Sequence, residues 1–418
     1  MSARILCIGE PATFAHQSRA AQCAEWFHKA GYETYFASGT DTPDWLVPEG
    51  VQFIPLFAIT SSEFLSHLHK GTWPYNKKLL AKYVKNDLAL LRELQPELVV
   101  GDFRLSLCVS ARTAAVPFFH LTNAYWSPLI KSFSWPVPVY GPLRRLPVFL
   151  AQQIFQLTIP LVMRGHLSAI NHLRKLYDLT PYKSFLDAFT DGDRTLYVDA
   201  AEHFPFTNDD DTHRCIGPVV WSPKGALPEE LTLPGDKPLV YVSLGSSAPS
   251  KLYQTIFQAL KSLDITLVVT TGENDEAGFQ APSVKQYPYL PGDKICARAN
   301  LVICNGGSPT AYQALLQGTP VLGIASNLDQ FLCMHFLTKT GAAISLRGEP
   351  LDIATLRATT VTMLNEGSFT FRAREVQQTL LSYSPQTSLL DLAEIFIKSK
   401  RRTKGDLNFD FLQNVEET

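Results

Sequence analysis

The sequence predicts an α/β protein built from two doubly wound lobes, and three observations carry that reading. Arg4–Gly9 reads as a buried strand, Ser18–Ala30 as a helix with apolar residues at 20, 23, 24, 27 and 30, and Thr34–Ala37 as a second strand. Strand, loop, helix and strand at this spacing make a βαβ unit. The same order returns later, with Leu239–Ser243 as strand, Leu244–Ser250 as a Gly/Ser loop and Leu252–Leu263 as helix. Between the two lies Gly217–Pro238, with five prolines and three glycines, which has the composition of a linker.

In the first half, Pro11–Gln17 is expected to be a loop, and Gly31-Tyr32-Glu33 ends the first helix. Strands follow at Gln52–Pro55, Leu98–Gly101, Phe118–Leu121 and Thr195–Asp199, with a long helix at Asn76–Leu94 separated from its strand by Pro96. Residues 128 to 165 are proline-rich and aromatic, without a clean period. Leu146–Met163 is their most apolar part, interrupted by Gln152, Gln153, Gln156 and Pro160. A helix packed on the first lobe, a pocket wall, and a membrane-surface patch beside Arg144–Arg145 all fit it. Gly165–Tyr177 is expected to be a separate charged helix. In the second half, strands at Thr266–Thr270 and Leu301–Cys304 and the segment Val284–Gly292 precede helices at Ile353–Leu364, Phe369–Leu381 and Gln386–Lys398. The resulting division is a first domain over 1–216, a linker over 217–238, a second domain over 239–385, a last helix over 386–398 and a polar tail over 399–418.

The chain has 418 residues, a formal net charge of −2 and a pI near 6.6, which gives no reason to expect a nucleic-acid partner. Seven scattered cysteines without a C-x-x-C pair suggest a reduced, cytoplasmic protein with no zinc site. No apolar stretch reaches the ~18 residues of a membrane span, and the short apolar run after Met1 is too short for a signal peptide.

The most informative stretch is Leu301–Gln330. An apolar run leads into Asn305-Gly306-Gly307-Ser308-Pro309-Thr310, then a helical pattern, a Gly318-Thr319-Pro320 stop, a second apolar run and Asn327-Leu328-Asp329-Gln330. A strand turning through small residues into a helix gathers backbone N–H groups and the positive end of the helix dipole, which suits a phosphate. The lysine of a P-loop is missing, so a diphosphate held by amides fits better than a metal-bound triphosphate.

This stretch resembles the nucleotide-sugar signature of family 1 (UDP-glycosyltransferase-like) glycosyltransferases, of the bacterial small-molecule or macrolide-type subgroup. In that signature a His-Gly-Gly turn precedes Thr, an acidic residue, Gly-x-Pro and Asp-Gln. The chain keeps both glycines, Thr310, Gly318, Pro320 and Asp329–Gln330, with Asn305 at the usual His and Gln313 at the usual Glu. The resemblance implies the GT-B fold, two Rossmann-like domains facing across a cleft, with the last helix crossing back onto the first domain. It implies an inverting hexosyltransferase that needs no metal or other cofactor. Such an enzyme passes a sugar from UDP or dTDP to a hydroxyl of a small lipophilic or aromatic acceptor.

Carried onto this sequence, the resemblance makes His16 the base for the acceptor hydroxyl, because His16-Gln17-Ser18-Arg19 aligns with a His-x-x-Pro element, Arg19 standing at the proline. It makes Asp102 the acidic partner of that His; an N-cap for a helix starting near Leu105 is the alternative. Thr122 corresponds to a hydroxyl near the donor, or serves a local turn. Gly245, Ser246 and Ser247 are expected near the diphosphate. Tyr289 and Leu290 stand where the family stacks and reads the base, although Gly292 removes a further contact. Asn305, Gly306, Gly307, Ser308 and Thr310 would hold the diphosphate, Gln313 a ribose hydroxyl, and Asp329 and Gln330 the sugar hydroxyls, with an N-cap as the alternative for Asp329. Asp191-Gly192-Asp193 has a metal-binding form but reads as a turn, and Asn208–Asp211 as a solvated acidic loop. The departures at Arg19, Asn305 and Gln313 also admit a nucleotide-sugar-binding auxiliary protein, or a hydrolase or epimerase.

Overall fold

The computed structural model describes residues 3–131, 134–207, 211–232, 235–245, 250–272 and 284–403. The first lobe contains β1 (Arg4–Gly9), α1 (Phe14–Lys29), β2 (Glu33–Ser38), β3 (Gln52–Pro55), α2 (Ser61–Lys70), α3 (Lys77–Leu94) and β4 (Leu98–Asp102). It continues with α4 (Leu107–Thr113), β5 (Phe118–Thr122), α5 (Val148–Leu176), α6 (Phe185–Phe189), β6 (Arg194–Tyr197) and β7 (His213–Cys215). A four-residue helix, α7 (Glu229–Thr232), lies in the connection. The second lobe has β8 (Leu239–Ser243), α8 (Ser250–Leu260), β9 (Thr266–Thr270), β10 (Val284–Tyr287), α9 (Gly292–Arg298), β11 (Leu301–Cys304) and α10 (Ser308–Leu315). It ends with β12 (Val321–Ala325), α11 (Leu328–Leu337), β13 (Ala343–Arg347), α12 (Ile353–Asn365), α13 (Gly367–Leu381) and α14 (Pro385–Thr403).

The first sheet has seven strands in the order β3-β2-β1-β4-β5-β6-β7, the second six in the order β10-β9-β8-β11-β12-β13. Neighbouring strands run parallel, as they do where helices cover both faces. The central strands are continuous apolar runs, β11 being Leu-Val-Ile-Cys with every residue buried. In each sheet the strand order reverses at one place, between β1 and β4 and between β8 and β11. Open parallel sheets bind ligands outside the carboxyl ends of the strands flanking such a reversal. The register pairs Gly9 with Asp102 there in one lobe and Ser243 with Cys304 in the other.

Three expectations are corrected. Val148–Leu176 is one 29-residue helix, α5, with Pro160 inside it, rather than an apolar segment followed by a separate helix. Its glutamines hold the preceding loop: Gln152 Nε2 donates to the Trp135 carbonyl at 2.7 Å, and Trp135 N–H donates to Gln156 Oε1 at 3.2 Å. Helix α1 begins at Phe14, so His16 stands in its first turn and not in a loop. Helix α14 runs through Thr403, past the expected end at Lys398. Its Leu389, Ala393 and Ile397 are buried with Ile5, Cys7, Ala24 and Phe27 of the first lobe.

Candidate active site

His16 is held by the last residue of β4 and its immediate neighbour. The imidazole Nδ1 lies 2.7 Å from Asp102 Oδ1, and the ring stacks on Phe103 with centroids 4.5 Å apart and planes 10° from parallel. The closer contact is with a carboxylate, which only accepts, so Nδ1 carries the hydrogen rather than accepting from Arg19 Nη2 at 3.1 Å, and the Nε2 lone pair is the basic one. Phe103 adopts φ +57°, left-handed backbone that costs a non-glycine residue about 1–3 kcal/mol. That kink presents Asp102 and Phe103 to the same imidazole. Asp102 does not cap α4, whose N-cap is Ser106, so the capping alternative fails.

The buried Asp102 carboxylate also pairs with Arg19, one turn along α1 from His16. Arg19 Nε lies 2.7 Å from Oδ2, and Nη2 donates to Oδ1 at 3.1 Å. Burial works against the Arg19 charge, but the carboxylates around it, Asp102 foremost, outweigh that and raise its pKa above the ordinary value. Arg19 Nη1 donates to Asn123 Oδ1 at 2.9 Å. Ser308, at the start of α10 in the other lobe, donates its hydroxyl to the same oxygen at 3.2 Å. A continuous chain of polar contacts therefore joins His16, Asp102, Arg19 and Asn123 to the first residue of α10.

A second bridge runs parallel to it. Asp199, fully buried, accepts from Asn123 Nδ2 at 3.1 Å, from Ala124 N–H at 2.7 Å and from the Tyr312 hydroxyl of α10. Burial raises the Asp199 pKa, and these donors work in the opposite direction. Just past the carboxyl ends of β1 and β4, the buried Arg104 guanidinium donates to Glu10 at 3.0 Å and Asp87 at 2.7 Å, and Tyr83 donates to Glu10 at 2.8 Å. Glu10 N–H in turn donates to the Asp102 carbonyl at 3.1 Å, which ties the network to the strand end carrying Asp102.

In the second lobe, Gly306 adopts φ +79°, and a Cβ there would lie 2.8 Å from Met334, so only glycine fits the turn. Asn305 folds back, its Oδ1 accepting from Gly307 N–H at 3.0 Å. This side chain therefore occupies one of the amides expected to meet a diphosphate. Gly245, at φ +69°, faces Asn305: a Cβ there would lie 3.1 Å from Asn305 Nδ2. Ser246 and Ser247 lie outside the described residues, as does most of the Asn208–Asp211 segment. Thr310 is in the first turn of α10, and Thr122 is buried at the end of β5.

Other expected contacts are engaged within the protein. Gln313 Nε2 donates to the Trp221 carbonyl of the connection at 2.7 Å, and its side chain fills the space beside Gly292. Asn327 is the N-cap of α11, in a capping box with Gln330 whose Oε1 accepts from Asn327 N–H at 3.2 Å, so Asp329 is not the cap. The exposed Asp329 carboxylate instead accepts from Trp126 Nε1 at 2.9 Å and the Tyr125 hydroxyl at 3.2 Å, both across the cleft. Tyr289 is half-exposed beside Trp45, with ring centroids 5.4 Å apart, while Leu290 is buried. Asp191 and Asp193 are both neutralised by Arg112 at 3.0 Å, a structural clamp. Among the described residues no three His, Cys, Asp or Glu side chains gather as a metal site.

No family model matches the chain. It is 37% identical over 377 residues to a PGL/p-HBAD biosynthesis glycosyltransferase of Mycobacterium tuberculosis (strain ATCC 25177 / H37Ra), covering 90% of this chain and 88% of that protein. The chain belongs to this family of glycosyltransferases. A PGL/p-HBAD biosynthesis rhamnosyltransferase of Mycobacterium bovis (strain BCG / Pasteur 1173P2) is also 37% identical, over 350 residues, or 83% of this chain and 78% of that one. Among solved structures, the spinosyn rhamnosyltransferase SpnG complexed with thymidine diphosphate superposes with a TM-score of 0.68 at 16% identity, covering 94% of this chain and all of that one. The protein is thus a family 1 glycosyltransferase enzyme of GT-B architecture.

The sequence passed over Asn123, Asp199, Tyr312, Phe103 and Trp126. Asn123 follows Thr122 at a strand end of the reversing sheet, the one signal that could have singled it out. Arg19 appeared only as a replaced proline, yet its guanidinium is a hub of the site.

Proposed function

We propose that the enzyme moves a hexose from a nucleoside-diphosphate sugar to a hydroxyl of a lipophilic acceptor, with inversion and without a metal. The observation that supports this best is the polar chain from His16 to Ser308, which sets a base across the cleft from an amide-rich turn. In the single displacement, the acceptor oxygen attacks the anomeric carbon as the bond to the diphosphate oxygen breaks. The acceptor proton passes to His16 Nε2, Asp102 steadies the imidazolium, and the diphosphate leaves with the bonding electron pair. The turn before α10 and the N-terminal end of that helix would receive the developing charge.

Arg19, its charge paired with Asp102, shares the Asn123 oxygen with Ser308 and so ties the base to the first turn of α10. The rhamnosyltransferase relative and the thymidine diphosphate bound to SpnG favour a dTDP-6-deoxyhexose among donors, with UDP-hexoses as the comparison. The aromatic cluster beside the base, Phe64, Phe103, Phe189 and Trp126, favours an apolar or aromatic alcohol.

Transfer assays with dTDP- and UDP-hexoses and a phenolic acceptor test the reading. His16→Ala is expected to lower kcat by about 10²–10⁴ while donor affinity, measured by calorimetry, stays within about threefold. Near-full turnover by His16→Ala would overturn the assignment, and hydrolysis of donor without transfer would favour a hydrolase.

A further inference from the structure

Helix α5 presents an apolar face to solvent. Phe149 and Leu157 are 77% and 79% exposed, and Leu161 is 67% exposed. Together with Gln153 they stand at four-residue steps, so they form one stripe along the helix. Val148, Leu150 and Val162, each half-exposed, widen it. Exposed large apolar residues gathered this way mark an interaction surface, whereas single ones do not.

The charges around the stripe have one sign. Arg144, Arg145 and Arg164 are exposed at its ends. No Asp or Glu occurs between Asp102 and Asp178, although the chain has 39 acidic residues. An anionic lipid surface matches both features, because apolar side chains enter the acyl boundary while arginines meet headgroup phosphates. The helix cannot do more than lie there, since no helix among the described residues is long and apolar enough to cross a membrane.

We propose that α5 docks the enzyme on an anionic membrane surface, with the Phe149–Leu157–Leu161 stripe inserted and Arg144, Arg145 and Arg164 on the phosphates. The opposite side of the same helix buries Ile159, Leu167, Ile170 and Leu173. Several of these join a cluster with Phe57, Phe64, Trp73 and Phe103, the last stacked on His16. One helix thus has lipid on its outer side and the aromatic wall of the proposed acceptor site on its inner side. A lipophilic alcohol dissolved in the bilayer would meet the base after a short lateral path.

Co-sedimentation with vesicles tests this without any catalytic readout, so it stands or falls apart from the reaction proposed above. The full chain should bind vesicles of phosphatidylcholine mixed with phosphatidylglycerol, more weakly as salt rises. Phe149→Ser, Leu157→Ser and Leu161→Ser combined should weaken binding at least about tenfold, since each removes a buried apolar anchor. Arg144→Gln, Arg145→Gln and Arg164→Gln combined should weaken binding to the mixed vesicles and leave any binding to pure phosphatidylcholine unchanged. Both triple variants replace exposed residues and should keep the native circular dichroism. Absence of binding by the native chain, or equal binding by the apolar triple variant, overturns the proposal. So does a dimer in light scattering that Leu157→Ser converts to a monomer while vesicle binding persists, for then the stripe joins two copies of the chain.

Discussion

Arg19 holds two side chains at once, and its replacement separates charge from geometry. The guanidinium meets Asp102 through Nε and Nη2 and Asn123 through Nη1. Lysine keeps the charge but offers a single ammonium, which cannot match that fork. Arg19→Lys is expected to lower kcat about tenfold or more and to raise the donor KM, with a melting temperature lowered by a few degrees. Steady-state kinetics beside a thermal melt would check it; unchanged kinetics with lowered stability would reduce Arg19 to a structural ion pair. None of this was legible in the sequence, where Arg19 stood as one residue in place of a proline. His16 and Asp102 could be singled out because each follows a recognisable strand. Asn123 and Ser308, 185 positions apart, meet through tertiary packing that no local pattern encodes.

Among elements, β1 and α1 determine how closely His16 approaches Asp102. Gly9 is the last residue of β1, and a Cβ on it would lie 2.7 Å from the His16 carbonyl oxygen and 2.8 Å from Gln17 Cα. Backbone cannot swing aside as a side chain can, so Gly9→Ala should push the first turn of α1 away from the sheet. Overpacking of this kind costs about 1–3 kcal/mol, and a displacement near 1 Å at the proposed base can cost about a hundredfold in rate. The expected result is a folded variant with a modest loss in denaturant midpoint and a much larger loss of turnover. The buried strands were readable because they are apolar runs bounded by loops. The edge strands β7 and β13 were not, because His213-Arg214-Cys215 and Ala343–Arg347 are short, mixed in polarity and only partly buried. The start of α1 was misread for want of a signal: Thr13, its N-cap, makes no side-chain bond to the helix.

For the molecule as a whole, buried and half-buried imidazoles contribute to the response to acid. Burial lowers the pKa of His120, His166, His203 and His335, and pushes His166, stacked on Trp73, down to about 4. These rings stay neutral in the native state, whereas the unfolded chain protonates near the ordinary ~6.5. Their contribution is present above ~6.5 and is lost as pH falls through each ring's lowered pKa, about 4 for His166, with a slope of at most ~1.4 kcal/mol per pH unit for a fully buried ring. For His166, whose ring is only partly covered, the slope is smaller. Chemical denaturation of the native chain and His166→Phe between neutral and mildly acidic pH should show a shallower decline in the variant. Parallel curves would mean that His166 takes no part.

The oxygen of Asn123 has room for two hydrogens, and both places are taken, one by each half of the enzyme. An arriving pyrophosphate would give the serine a stronger acceptor, loosening one latch while the guanidinium keeps the other. On the proposed reaction, opening of this latch by the nucleotide would come before the alcohol binds. Product inhibition should follow a compulsory sequence, the free nucleoside diphosphate competing with the sugar nucleotide and not with the alcohol.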